Sequence, residues 1–227
     1  MAYDFIGLVN DVNNRLNEVE LDSSNFTTAT GYFSYAKDSV NAAIRHIQQE
    51  EYEWPWNNLE QTDTLTPGIV RYSYPNDAKT INFNTFRIKR SSTLNIGTRK
   101  LKVLSYEEYL EKYADNEYNT DAQGMPTHVV RTPAREVIYY PAADEAYDVV
   151  YEYYRIGYDL IGATDVPPLP EQYRFAIVNG AMFYVYQFRG DQQNATIAKS
   201  QFDNDLKYLR SLNINRMDYV RDTRVHY

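Results

Sequence analysis

Residues 184–199, YVYQFRGDQQNATIAK, hold two signals that pull toward opposite folds. Arg189-Gly190-Asp191 is the tripeptide that adhesion ligands display on loops, and Asn194-Ala195-Thr196 fits the acceptor pattern for N-glycosylation. The same stretch also reads as a corner between helices. Gly190 stands where a helix C′ glycine belongs, and Asp191 stands where an N-cap belongs. On that reading Asn194 lies in the first turn of the next helix, and the tripeptide is structural.

The rest of the chain favours the corner. The N-terminus, MAYDFIGLVNDVNNRL, has no basic n-region and no unbroken apolar run, so it does not read as a signal peptide. The longest apolar stretch, 176–188, is interrupted by Asn179 and Gln187 and is too short to cross a membrane. No cysteine occurs, which excludes disulfide stapling and thiolate chemistry. The second sequon, Asn25-Phe26-Thr27, loses its context for the same reasons.

Working outward from the corner, Tyr173, Ile177, Ala181, Tyr184 and Phe188 predict one apolar stripe on a helix over 173–188. Ala195, Ala198, Phe202, Leu206 and Leu209 predict another over 192–209. The proline-rich VPPLPEQ leads into the first of these helices. Gly180 predicts a close helix approach. At the other end of the chain, helices are expected over 4–16 and 32–50, the second stopped by EEYEWPWNN at Pro55. Trp54 and Trp56 are expected either to brace this helical hairpin against the following region or simply to pack in a core.

Between these ends the apolar period changes from 3.6 to 2. Strands are expected at 68–74, 79–90, 94–104, 127–131, 136–140 and 147–156, with a bulge near Asn84 or Thr85 where the alternation slips. Ser105 to Glu108 has the capping-box pattern and opens a short helix. Tyr147, Val149, Tyr151 and Tyr153 are expected on the buried face of the last strand. The fold class is therefore α+β: an antiparallel four-helix bundle from the N- and C-terminal helices, a β-rich insertion and an extended C-terminal tail. The boundaries are 1–60 with 166–210 for the bundle, 61–165 for the insertion and 211–227 for the arm.

Little in the sequence points to catalysis. His46, His128 and His226 share no metal-ligand spacing. The run from Asp115 to Asp121 resembles a calcium loop, but Thr120 and Pro126 stand at its glycine and bidentate positions. No phosphate loop, GxGxxG or GxSxG occurs. No cofactor and no metal is therefore expected. Glu50, Glu51 and Glu53 read as a solvated acidic helix end. The net charge of −8 disfavours tight binding of free duplex DNA over the whole surface. FRIKRSS at 86–92 and TRKLK at 98–102 form the one basic concentration, read as a hairpin edge able to meet a nucleic-acid backbone or an acidic partner. Twenty-three tyrosines suit both strands and large interfaces.

Three stretches, YEWPWN at 52–57, VIYYPAADEAYDVVYEYYR at 137–155 and PPLPEQYRFAIVNGAMFYVYQFRGDQQNATIAKSQFDNDL at 167–206, carry a further reading. Together they make the chain resemble the head-to-tail adaptor family of tailed bacteriophages, of the tail tubular protein A type. The resemblance implies a virion structural protein without enzymatic activity, assembled in the host cytoplasm and placed in the neck. It implies a twelve-copy ring between the portal protein and a tail nozzle protein, through which genomic DNA passes without specific binding. No membrane is implied. The C-terminal arm would meet the portal or a neighbouring subunit through Arg216, Tyr219, Arg221, Arg224 and Tyr227. Two other readings stay open. One is a monomeric carbohydrate- or receptor-binding phage tail protein using exposed tyrosines. The other is a hydrolase using carboxylates around Asp144, Glu145 and Asp148.

Overall fold

Asp4 accepts the Gly7 amide and opens the first helix, α1 (Phe5–Arg15), by satisfying one of the donors a helix start leaves free. In the computed structural model, which describes residues 2–51, 53–93, 96–117 and 119–214, α1 is followed by α2 (Tyr32–Glu50). Then come strands β1 (Asn58–Thr64), β2 (Arg71–Ser73), β3 (Ala78–Ile88), β4 (Arg99–Lys100) and β5 (Lys102–Leu104). Helix α3 (Tyr106–Lys112), strands β6 (His128–Arg131), β7 (Glu136–Tyr140) and β8 (Asp148–Arg155), and helices α4 (Arg174–Arg189) and α5 (Gln192–Asn213) complete the order. The chain divides into two compact units. One is drawn from Met1–Asn57 and from the chain beyond Gly157, and the other is Asn58–Ile156.

In the helical unit α4 is the common neighbour of α1, α2 and α5. Gly180 explains the closeness. A Cβ there would fall 2.8 Å from the Phe202 ring and 2.9 Å from Ala43, so only glycine lets α2 and α5 seat against α4 at this point. The core is built mainly of aliphatic side chains, among them Leu8, Val9, Val12, Val40, Ile44, Ile47, Ile177, Val185 and Leu206, and takes in the rings of Phe5, Phe26, Trp54, Tyr173 and Phe202. Side-chain bonds fix the α4–α5 register. Tyr173 bonds Asn213, and Asn179 donates to Asp205 at 2.7 Å.

The second unit holds two four-stranded sheets. One runs β1-β8-β3-β4 and is antiparallel throughout; the other runs β2-β7-β6-β5. In the second sheet β5 and β6 are parallel, which requires a crossover. Helix α3 and two 3₁₀ turns supply it. The sheets share a core in which Phe86 stacks on Tyr151 at 4.4 Å, with Val129, Val137 and Tyr139 from the second sheet. The other face of that second sheet buries Val130 and Ile138 against Tyr109 of α3. Both faces of β6 and β7 are thus covered, which is why their sequences, HVVR and EVIYY, run apolar rather than alternating.

The expected four-helix bundle of terminal helices is overturned. The described residues form five α-helices, one of them inside the strand-rich unit, and two separate four-stranded sheets. Around α4 the other three terminal helices are gathered as neighbours of one central rod rather than as four equal staves. The short α1, three turns long, is the reason: it packs on α2 and α4 but is not paired lengthwise with α5.

Candidate assembly interface

The Trp54-Pro55-Trp56 segment sits at the end of α2. Trp54 is fully buried, stacks on Trp56 at 4.6 Å, and donates its indole N–H to the Ile47 carbonyl at 2.7 Å. That carbonyl is among the last four of α2, which have no partner within the helix. Trp54 therefore caps the helix sideways. Trp56 lies against Tyr173, which in turn holds Asn213 near the end of α5. Both tryptophans lie in the helical unit. Glu50 and Glu51 are not a freely solvated patch: Arg210 of α5 pairs with both, and His46 also bonds Glu50. A cation at this helix C-terminus relieves the repulsion between carboxylates and dipole.

Gly190 closes α4 in the left-handed conformation (φ 73°), and the Asp191 carboxylate caps α5 by accepting from the Asn194 amide. These bonds hold the Asp191 pKa below the ordinary carboxylate range. Arg189 is bonded to Glu18 and lies over the Tyr32 ring at 4.6 Å. Both charges of the tripeptide are thus engaged within the molecule.

Several large apolar side chains of the helical unit are exposed. On α5, Ile197, Gln201, Tyr208 and Leu212 recur at helical spacing on one side. Ile197, Tyr208 and Leu212 are each more than half exposed. The α4–α5 register puts Phe175, 66% exposed, alongside the 208–212 turns. Arg15 of α1 lies over the Phe175 ring and bonds Asn179. A shallow groove of about 270 Å³ with a mostly polar lining runs beside them, formed by Arg15, Asn179, Met182, Tyr186, Ile197 and Gln201. The sequence-based stripe on α4 had put Phe188 inward. It is 47% exposed, stacked on Tyr35 at 3.4 Å, because the inward face rotates toward Ala176, Ile177, Gly180 and Val185.

The residues that sequence reasoning placed in an arm, Arg216, Tyr219, Arg221, Arg224 and Tyr227, lie outside the described residues, as does His226. The chain reaches them from Ile214, which packs against the helical core next to Asn213.

Of the three carboxylates considered for hydrolysis, Asp144 and Asp148 serve local bonds. Asp144 accepts from Tyr147, whose own pKa is pushed up to about 12 by burial and by that carboxylate; Asp148 accepts from Thr64. Among the described residues no group of three or more His, Cys, Asp or Glu side chains is placed to hold a metal ion. No described helix is long and apolar enough to cross a membrane.

No curated protein matches the chain. A family model described as SU10 adaptor protein matches residues 3–225, nearly its whole length, so the chain belongs to the SU10 adaptor protein family, a family of phage structural adaptors and not of enzymes.

Proposed function

We propose that this adaptor assembles as a ring, of twelve copies, that joins the portal protein of the capsid to the tail nozzle protein and forms part of the channel through which the genome leaves. The reading is carried by the family match over residues 3–225. It is supported by large exposed apolar side chains on α4 and α5, Phe175, Ile197, Tyr208 and Leu212, which are suited to burial against another protein surface. The acidic net charge fits a conduit that does not hold DNA. In this reading the protein is assembled in the host cytoplasm and ends in the neck of the virion.

The C-terminal arm carries the portal contact, through Arg216, Tyr219, Arg221, Arg224 and Tyr227. Helix α5 ends at Asn213, with Ile214 as its C-cap. Removing residues 215–227 leaves every described helix and strand complete and is expected to move the melting temperature by no more than about 2 °C. The truncated chain is expected to lose measurable binding to purified portal protein in sedimentation. Full binding by the truncated chain would defeat the assignment of the arm.

A further inference from the structure

Six of the chain's 23 basic residues lie between Arg87 and Lys102, with no acidic residue among them. They occupy the end of β3, β4 and the start of β5, and the register sets Arg87 opposite Lys100. Like charges directly opposite across antiparallel strands repel. Glu60 relieves Arg87. Lys89, Arg90, Arg99, Lys100 and Lys102 are exposed and have no carboxylate partner among the described residues.

The next stretch of chain has the opposite character. Between Glu107 and Asp121 stand six acidic residues and one lysine. Glu108 pairs with Lys112, and the buried Glu117 pairs with Arg71. Glu107, Glu111, Asp115 and Asp121 are exposed, and none has an ion pair among the described residues. A fold selected for stability alone would pair the two sets, since Lys102 and Glu107 are only five residues apart. Both sets are instead left open. Val103 and Leu110, each nearly half exposed, stand in the same two segments.

We propose that the β3–β4 hairpin and the adjoining start of β5 in one copy dock on the α3 face of a second copy of this chain, setting five cations against four carboxylates with Val103 and Leu110 between them. The two sides of such a contact are different, so each copy keeps one patch free for the next, as a ring requires. The inference rests on the ring reading and names one of its contacts. DNA is the less suitable occupant of the hairpin, because the field of a chain of net charge −8 repels a polyanion. A second copy brings that acidic surface with it.

The test is zero-length carbodiimide cross-linking of full-length protein assembled on its portal from isotope-labelled and unlabelled chains. The expected products are mixed-isotope peptides joining Lys89, Lys100 or Lys102 to Glu107, Glu111, Asp115 or Asp121. The variant K89E/R90E/R99E/K100E should associate at least about tenfold more weakly in low salt, with a loss that shrinks as salt screens the contact. Mixing it with E107K/E111K/D115K should restore association, which a merely misfolded variant would not do. Rings that form unchanged from the reversed hairpin would overturn this inference and leave the ring reading standing. A wild-type chain that stays monomeric with and without portal would overturn both. Retardation of double-stranded DNA by the wild type, lost in the reversed variant, with cross-links only within one copy, would assign the hairpin to nucleic acid instead.

Discussion

The helical unit and the strand-rich unit present different surfaces. In the first, the arginines are engaged: Arg174 with Asp11, Arg189 with Glu18, Arg210 with Glu50 and Glu51, and Arg45 with Asp159. Among its exposed side chains are large apolar ones, Phe175, Ile197, Tyr208 and Leu212, each more than half exposed. The strand-rich unit buries aromatic side chains both between its two sheets and under α3, and leaves unpaired charge outside, basic on the β3–β4 hairpin and acidic around α3. The two kinds of surface have different physics. Apolar area gives a contact that salt does not weaken, whereas charged patches steer and orient and lose strength as ionic strength rises.

The sharpest way to break this comparison is in the two cores. Phe202→Ala should destabilise the helical unit by about 4 kcal/mol, since Phe202 fills the space that Gly180 opens between α4 and α2. Phe86→Ala should cost about the same in the strand-rich unit, where the ring stacks on Tyr151. Hydrogen exchange should report the first loss in α2, α4 and α5 and the second in β3 and β8. Equal loss of protection everywhere after either change would mean that the two units do not hold separate cores.

A middle-sized effect is expected at the α2 terminus. Trp54→Phe keeps a ring on Trp56 but removes the donor to the Ile47 carbonyl, and should cost about 1–2 kcal/mol in chemical denaturation. A neutral result would show that the carbonyl finds another donor.

The smallest effect concerns the corner. Asp191 has a lowered pKa because the folded state bonds its ionised form. Its contribution is therefore present above the unfolded value, about 4, and is lost as pH falls through the lowered folded value. The melting temperature of Asp191→Asn should lie below that of wild type at neutral pH, and the gap should close in acid. A gap that persists in acid would remove the charge from the explanation.

How much of this was legible in the sequence follows from what each residue pattern measures. The long helices were readable because periodicity and punctuation agreed: Pro55 ends the region after α2, while Gly190 and Asp191 separate α4 from α5. The bulge in β3 was readable because the alternation slips near Asn84, and the register does shift between Asn82 and Arg87. Strand β1 was missed. Its sequence, NLEQTDT, has one apolar residue, because an edge strand needs only its pairing with β8. The bundle was misjudged because helical stripes show that each helix buries a face and not which neighbour it meets; α4 has three neighbours and α1 is short. The parallel β5–β6 pair was invisible for a related reason, since strand direction depends on the crossover through α3. At the surface, the sequence singled out the basic hairpin. It did not show the exposure of Phe175 and Phe188, which depends on how α4 is rotated.

The most direct test of the account is the mass of the purified full-length protein in solution, by light scattering, alone and after addition of its portal assembly. The account predicts that portal addition collects many copies of the chain into one ring-sized complex. A mass of one copy in both samples, with no binding to the portal, would contradict it.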